Sequence, residues 1–338
     1  EAVRPPLYPL VLAAFQSALG EGRPFAVAVI LAQALLGAFG CALAADMGGR
    51  LFGPAAGRIA GIASALHPEL LLYPSLLLTE TLAVVLVTAG LWAAARGLAA
   101  ASPWRWALLC GACCGAAALT RASLLPLAGM AALWLAWALP SRRQALAAAV
   151  CCAAAACAVV GPWTLRNRLR LGAWVPVTTK MGWDLYEQFC PEATGGPIYD
   201  SIRWPREVRD MGEVEADRAL RRAAWRHLLA RPGRAVALTL IRVRRLWNPF
   251  PNDPGHRTPA VMAVSLLANL PLFLLALASV TLLRRAPAAW TLAALPVLLL
   301  GLVHAVFMGS VRYRAPALPA LGVLAGAAWV RLREAPRP

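Results

Sequence analysis

Charged side chains are scarce in this chain of 338 residues. Asp, Glu, Lys and Arg together make up only 14% of the sequence, whereas hydrophobic residues make up 60%. The mean hydropathy is +0.61. Soluble globular domains carry about 25% charged residues, so this composition argues against a soluble domain and is typical of polytopic membrane proteins.

Lysine and acidic residues are the rarest of the charged types. The chain has 16 Asp and Glu, and its 33 basic residues are arginines except for Lys180, which gives a net charge of +17. The arginines lie in loops and at the ends of apolar segments, a distribution that argues against nucleic-acid binding. It favours contact with anionic lipid head groups or a phosphate-bearing lipid, because the forked guanidinium binds phosphate better than lysine does.

Several catalytic sequence patterns are also missing. The absence of a Ser/His/Asp pattern, a phosphate-binding loop, a dinucleotide fingerprint and zinc-ligand spacing disfavours hydrolases, ATPases and dehydrogenases. Residues 1–6 do not begin a secretory signal. Cys110, Cys113 and Cys114 lie among Leu, Ala and Gly with no histidine near them, so we interpret them as small packing residues.

Long apolar segments dominate the remaining sequence. We predict an all-α, polytopic integral membrane bundle with about nine transmembrane helices plus interfacial helices. The predicted spans cover residues 25–45, 55–66, 74–95, 106–119, 124–139, 144–164, 259–283, 287–307 and 315–330. We treat 1–338 as one membrane domain, with transmembrane helices in 25–164 and 259–338 and an extracytoplasmic loop in 165–258.

Arginine placement predicts the orientation of the bundle. The short connections at 50–58, 96–105 and 142–143 are basic and fall on one side, which the positive-inside tendency makes cytoplasmic. The protein is therefore expected to be a multi-pass protein of the inner (plasma) membrane. Within the outer loop, residues 215–230 have an apolar side that we expect to lie flat on the membrane, and 233–247 is expected to be interfacial.

Ionisable residues beside apolar segments are functional candidates, and Glu80 is the clearest of them. It lies in the apolar run 76–82, where a stabilising role at a helix N-terminus is the alternative interpretation. His67 and Glu69 could join Glu80 as ligands of a divalent metal ion, the one cofactor considered, or as acid/base groups. They could equally be polar groups of a proline-rich loop.

Basic side chains are predicted on the same outer side as Glu80. Arg121, Arg312 and Arg314, together with Lys180, form a candidate phosphate clamp, because guanidinium groups make paired charge-assisted hydrogen bonds to phosphate. Taken singly, each arginine could also be a snorkelling anchor at the membrane edge.

The order of several short motifs resembles one family. The motifs are RPPLYP at 4–9, LFG at 51–53, HPE at 67–69, LTET at 78–81, LTR at 119–121, PWTLRN at 162–167 and RYRAP at 312–316. Together they span nearly the whole chain and resemble the bacterial GT-C glycosyltransferases of the protein O-mannosyltransferase-like family. The lipid A aminoarabinose transferases are distant relatives of that family.

The resemblance implies an enzyme that moves a sugar from a polyprenyl-phosphate carrier to a glycan, lipid or protein acceptor. Transfer would be inverting and would occur on the extracytoplasmic side. Residues 1–24 match the end of the family's first outer loop, so the resemblance places the family's acidic catalytic residue upstream of residue 1. An acceptor hydroxyl needs a carboxylate to take its proton, and the leaving phosphate needs positive charge or a metal.

The resemblance also assigns roles to residues of this chain. Glu80 matches an acidic position with a catalytic, metal-binding or acceptor-binding role. Arg121, Arg312 and Arg314 match basic positions suited to the carrier phosphate, and Arg166 matches a motif at the membrane exit with a structural or lipid-phosphate-contacting role. Lys180 and Tyr313 are predicted as substrate-binding residues beside them.

Two functions of other classes stay open. A lipid or polysaccharide transporter or flippase also has polar residues in its spans, but no inverted repeat is visible, and the polar residues gather at one face instead of the bilayer midplane. An inactive membrane scaffold is the other alternative, because the family's catalytic loop would precede residue 1.

Overall fold

The computed structural model describes residues 1–198 and 201–334, which form fourteen α-helices and five 3-10 helices and contain no β-strand. The α-helices are α1 (Leu7–Leu19), α2 (Arg23–Phe52), α3 (Pro54–Leu66), α4 (Pro68–Leu72), α5 (Glu80–Leu98), α6 (Pro103–Thr120), α7 (Pro126–Ala138), α8 (Arg142–Leu171), α9 (Met181–Phe189), α10 (Glu213–Ala230), α11 (Pro232–Leu246), α12 (Pro259–Leu282), α13 (Pro287–Val306) and α14 (Leu318–Glu334). The 3-10 helices are Tyr73–Ser75, Ala122–Leu124, Arg206–Asp210, Pro254–His256 and Val311–Ala317.

Proline and glycine set many of the helix boundaries. Helices α3, α6, α7, α11, α12 and α13 each have a proline at the first or second position, where the missing backbone N–H costs no hydrogen bond. Gly172 ends α8 with a φ of 68°, a left-handed conformation that glycine adopts without steric cost. The sequence therefore specifies where long apolar helices stop.

The predicted all-α membrane fold is confirmed. Six segments of the described chain are long and apolar enough to cross a membrane, namely α2, α5, α8, α12, α13 and Val311–Glu334. The other three predicted spans form the shorter helices α3, α6 and α7, of 13, 18 and 13 residues. Leucines such as Leu35 and Leu267 face outward, as expected where hydrocarbon is the solvent. The chain is a multi-pass membrane protein.

Small residues bring the membrane helices into close contact. A Cβ atom on Gly111 of α6 would lie 2.0 Å from the carbonyl oxygen of Cys152 in α8, and one on Gly57 of α3 would lie 2.4 Å from that of Ala45 in α2. Helices in lipid gain stability from such close backbone packing, because no hydrophobic effect drives them together.

The two ends of α5 carry different polar groups. At its C-terminal end, the carboxylate of Asp46 accepts hydrogen bonds from Arg50 at 2.6 Å and from Trp92 at 2.7 Å, and Arg96 stacks on Trp92. Glu80 lies at the opposite end of the helix, where α6 also ends. The basic connections and the candidate site thus occupy opposite ends of the bundle.

Helix α5 begins later than the predicted span 74–95. Residues 76–79 follow the 3-10 turn Tyr73–Ser75 and bend the chain before α5 begins at Glu80. The side-chain amide of Gln33 in α2 donates to the carbonyl oxygens of Pro74 and Leu76, at 3.0 and 2.9 Å, and so holds this bent segment.

Helices α9, α10 and α11 form a lobe at the Glu80 end of the bundle. The prediction that the apolar side of 215–230 faces the membrane is wrong, since Leu220, Ala223 and Ala224 of α10 are buried in a cluster with residues of α9. A Cβ atom on Gly182 of α9 would lie 2.0 Å from the carbonyl oxygen of Asp217, so the two helices touch through their backbones.

Candidate functional site

The candidate site is built on a buried carboxylate. Glu80 is the first residue of α5, and its side chain is fully buried. Its Oε1 atom accepts hydrogen bonds from Nη1 of Arg121, at 2.8 Å, and from Nε of Arg312. Nη2 of Arg312 lies 3.4 Å from Oε2. The positive end of the α5 dipole and two guanidinium groups therefore stabilise the ionised carboxylate.

We call Arg121 and Arg312 the arginine pair. Arg121 follows α6 in an extended conformation, and Arg312 lies in the 3-10 helix Val311–Ala317. The Arg121 side chain is 12% exposed, whereas that of Arg312 is 45% exposed. Glu80 thus lies behind the pair, and Arg312 faces the surroundings.

An aromatic pair borders these arginines. The guanidinium carbon of Arg121 lies 4.8 Å from the ring centroid of Tyr313, and the His304 ring stacks on Tyr313 at 4.9 Å. Nδ1 of His304 lies 2.7 Å from the carbonyl oxygen of Met308, which can only accept, so this nitrogen carries the proton. His304 thereby fixes Tyr313 beside the arginine pair, and the substrate-binding role of Tyr313 stays a prediction.

Arg314 is separated from the arginine pair, which corrects the prediction that it belongs to the clamp. A 3-10 helix has three residues per turn, so side chains two positions apart point about 120° away from each other. Arg314 is fully buried, and it donates to the carboxylate of Glu69, to Oδ1 of Asn269 at 2.9 Å and to the carbonyl oxygen of Leu246 at 3.2 Å. It connects helices inside the bundle.

The predicted metal ligands do not form a metal site. Within residues 1–198 and 201–334, no three His, Cys, Asp or Glu side chains are placed to hold a metal ion. Glu69 is paired with Arg314 and Glu80 with the arginine pair, while Nδ1 of His67 accepts the backbone N–H of Glu69 at 3.3 Å. Carboxylates already neutralised by guanidinium groups do not fit a divalent cation, so the predicted ligand set is wrong.

Two other predicted residues lie beside different partners. Arg166 donates to the carbonyl oxygen of Glu1 at 3.2 Å and to the side chain of Asn167 at 3.1 Å, and it has no contact with the arginine pair. Lys180 lies 3.0 Å from Asp184 at the start of α9. Burial works to lower the pKa of Lys180, but Asp184 outweighs it, and with a smaller contribution from Tyr313 the pKa is raised. Lys180 is therefore close to the site, whereas Arg166 is not.

Two tyrosines that received no role in the sequence analysis also border Glu80. The hydroxyl of Tyr8 donates to Gln33 at 3.1 Å, and burial, followed by the charge of Glu80, raises the pKa of Tyr8 to about 12. Burial and the charges of Glu69 and Glu80 raise the pKa of Tyr73 above its usual range. Tyr8 belongs to the RPPLYP motif, and its position in that motif is the signal that could have identified it.

Comparison with known proteins gives a family-model match for part of the chain and a likeness of fold. Residues 3–165, which include Glu80 and Arg121, match the family model described as dolichyl-phosphate-mannose-protein mannosyltransferase. The fold resembles that of the oligosaccharyltransferase AglB from Archaeoglobus fulgidus, with a TM-score of 0.59 and 12% identity over 97% of this chain and 42% of that one. The chain is thus similar to this mannosyltransferase family over residues 3–165 and to AglB in its fold. No curated protein matches the chain in sequence.

A second solved structure is similar in fold. ArnT from Cupriavidus metallidurans has a TM-score of 0.50 and 18% identity, over 97% of this chain and 50% of ArnT. That structure of ArnT contains undecaprenyl phosphate, and that of AglB contains an inhibitory peptide and a dolichol-phosphate. This chain spans half or less of the length of these two proteins.

Proposed function

We propose that this chain is the membrane part of an inverting glycosyltransferase that moves a sugar from a polyprenyl-phosphate carrier to a glycan, lipid or protein acceptor. The observation that carries the proposal is the arginine pair, held on one fully buried carboxylate with Arg312 facing outward. The match of residues 3–165 to a mannosyltransferase model supports the same reaction class.

The arginine pair has donors to spare for a phosphate. The carboxylate of Glu80 accepts hydrogen bonds from Nη1 of Arg121 and from Nε and Nη2 of Arg312. A guanidinium has five N–H groups in a fixed fork, so each arginine keeps N–H groups that Glu80 does not use. We assign these groups to the carrier phosphate, whose negative charge grows as the bond to the sugar breaks.

Glu80 itself has a positioning role in this proposal. A general base must reach the proton that it takes, but Glu80 is fully buried and both of its oxygens already accept hydrogen bonds from arginine. The proton of the acceptor hydroxyl must therefore be taken by a group other than Glu80. Glu80 holds two guanidinium groups close together, and without its negative charge these two positive groups would repel each other.

Charge distribution supports an extracytoplasmic site in the inner membrane. The Arg50 and Arg96 side chains cluster around Asp46 at the end of the bundle opposite Glu80. Positive residues favour the cytoplasmic side of a membrane, so the arginine pair falls on the outer side.

Transfer from a defined carrier tests the proposal. The full-length protein, reconstituted in liposomes with radiolabelled polyprenyl-phosphate mannose and a panel of glycan, lipid and peptide acceptors, should move label to one acceptor class. Arg312→Gln should reduce transfer roughly tenfold or more, since charge-assisted hydrogen bonds contribute about 1.5–3 kcal/mol each. Arg331→Gln, at the end of α14, is the matched control. If the intact carrier crossed the membrane and no sugar were transferred, the proposed glycosyltransferase activity would be refuted and a flippase would be favoured.

A further inference from the structure

Arg242 of α11 is a completely buried cation outside the site described above. Within the described residues it has no carboxylate partner, although an unpaired buried charge costs several kcal/mol. Burial lowers the pKa of Arg242 to about 10, so the side chain stays charged at neutral pH. Its surroundings must therefore compensate the charge in another way.

The compensation comes from the ends of two helices. Nη1 of Arg242 donates to the carbonyl oxygen of Val306 at 2.8 Å, in the last turn of α13, and lies 3.4 Å from that of Gln188, in the last turn of α9. Carbonyl groups in the last turn of a helix carry the negative end of its dipole. The guanidinium carbon also lies 4.6 Å from the ring centroid of Phe189. One side chain thus joins the lobe to the membrane bundle.

The end of α13 that Arg242 binds is followed in the chain, after four residues, by the 3-10 helix that carries Arg312. We call residues 307–310 the strap, since they connect α13 to the 3-10 helix that carries Arg312. A Cβ atom on Gly309 would lie 2.1 Å from the carbonyl oxygen of Arg242, so the strap touches the backbone of α11. Nε of Arg245 donates to the carbonyl oxygen of Gly309 at 3.3 Å. Helix α11 therefore contacts the chain just before the strap, through Arg242, and within the strap at Gly309, through Arg245.

The lobe helix α9 also borders the site at its other end. Lys180, immediately before α9, is near enough to Tyr313 to interact with it electrostatically, and the ring centroid of Tyr313 lies 4.8 Å from the guanidinium carbon of Arg121. Arg242 contacts both the end of α9, at Gln188, and the end of α13, at Val306, after which the strap begins. A displacement of α9 would therefore act on both sides of the arginine pair.

We propose that Arg242 is a positioning residue that couples the α9 lobe to the strap, so that Arg312 reaches the carrier phosphate only when lobe and bundle are joined. This inference rests on the proposed function. It adds that the geometry of the phosphate-binding group is set by a residue which touches neither Glu80 nor the carrier.

A double-mutant cycle on carrier binding tests this coupling. Binding of undecaprenyl phosphate to the detergent-solubilised full-length protein is measured for Arg242→Met, Arg312→Gln and the double variant. Each single variant should bind roughly tenfold more weakly, and the double variant should be no weaker than Arg312→Gln alone, because Arg242 acts through Arg312. Losses that multiply in the double variant, or wild-type binding by Arg242→Met, would overturn the coupling.

Matched variants separate coupling from general damage. Arg234→Met, also in α11, removes a guanidinium that donates to the carbonyl oxygens of Cys190, Pro191 and Ala193 within the lobe and does not touch the strap. It should lower the melting temperature and leave carrier affinity unchanged. Gly309→Ala keeps the charge of Arg242 but pushes the strap from α11, and it should weaken binding as Arg242→Met does. If Arg242→Met does not fold, Gly309→Ala decides the question by the same cycle. Wild-type protein that binds no undecaprenyl phosphate would instead refute the proposed function.

Discussion

Arg121 and Arg312 donate to the same carboxylate oxygen, Oε1 of Glu80, although they lie 41 and 232 residues from it in sequence. Three segments of the chain, the ends of α5 and α6 and the 3-10 helix after α13, must therefore pack correctly before either guanidinium is in place. The arginine pair therefore forms only when the bundle has folded.

Neutralising Glu80 should lower both the stability of the bundle and its affinity for the carrier. Glu80→Gln leaves two guanidinium groups without their shared counter-charge, and breaking a buried ion pair costs about 3 kcal/mol or more. We expect a lower melting temperature in detergent and a roughly tenfold or greater loss of undecaprenyl phosphate affinity, because the arginine pair no longer converges. Both are measured on the same preparation, by thermal unfolding and by equilibrium binding.

Asp46→Asn is the control for Glu80→Gln. Asp46 also accepts from an arginine, but it is 44% exposed and lies at the opposite end of the bundle. Exposed ion pairs contribute about 0–1 kcal/mol, so this variant should melt close to the wild type and bind the carrier normally. Equal carrier affinity in Glu80→Gln and the wild type would show that Glu80 stabilises the fold only.

Arg312 and Arg314 should behave differently when each is replaced by glutamine. Arg312 is 45% exposed, and Glu80 keeps Arg121 as a partner when Arg312 is removed, so Arg312→Gln should weaken carrier binding with only a moderate fall in melting temperature. Arg314 is fully buried with Glu69 and Asn269, so Arg314→Gln should unfold at a markedly lower temperature. The ratio of the affinity loss to the stability loss, measured for both, is the discriminating quantity. A larger affinity-to-stability ratio for Arg314→Gln would contradict the assignment.

This contrast marks the limit of what the sequence predicts. Apolar length and basic connections predict the helices and place Glu80, Arg121 and Arg312 at one end of the bundle, as the structure has them. The motif RYRAP gives no sign that Arg312 faces outward while Arg314 is buried. That difference depends on the 3-10 geometry of Val311–Ala317, which helix periodicity in the sequence does not reveal.

Long-range partners were equally beyond sequence reasoning. The metal prediction treated His67 and Glu69 as free ligands, but Glu69 pairs with an arginine 245 residues away. The arginines of 233–247 were expected to avoid hydrocarbon at an interface, whereas Arg242 is buried inside the protein against helix-end carbonyls. In each case the charge is compensated by a group that only tertiary packing brings near.

The contact between α9 and α10 gives a prediction about the lobe. A Cβ atom in Gly182→Ala would lie 2.0 Å from the carbonyl oxygen of Asp217, so the helices must move apart and the lobe should lose about 1–3 kcal/mol of stability. Limited proteolysis of residues 181–230 should become faster. Gly233→Ala in α11 meets no atom within 4 Å and should be neutral or slightly stabilising. Equal cleavage rates in the two variants would refute the close contact.

The pH dependence of the lobe follows from Asp184. Burial raises the pKa of Asp184, Lys180 opposes this effect and Asp217 adds to it; burial likewise raises the pKa of Glu187. A carboxyl whose pKa is raised on folding stabilises the fold fully below its unfolded pKa, 3.8 for Asp184, and loses that contribution as the pH rises through the folded pKa. The contribution of Asp184 should therefore decline as the pH rises from 3.8 through the raised pKa of the folded state.

Hydrogen exchange of the α9 amides between about pH 4 and pH 7, corrected for intrinsic rates, measures this dependence locally. Asp184→Asn cannot ionise, so its lobe should lose less protection than the wild type as the pH rises over this range. Asp253→Asn provides a control of opposite sign, because the N–H of Gly255 and the side chain of His256 lower the pKa of the exposed Asp253. Identical pH profiles for wild type and Asp184→Asn would show that the charge of the partly buried Asp184 does not limit the stability of the lobe.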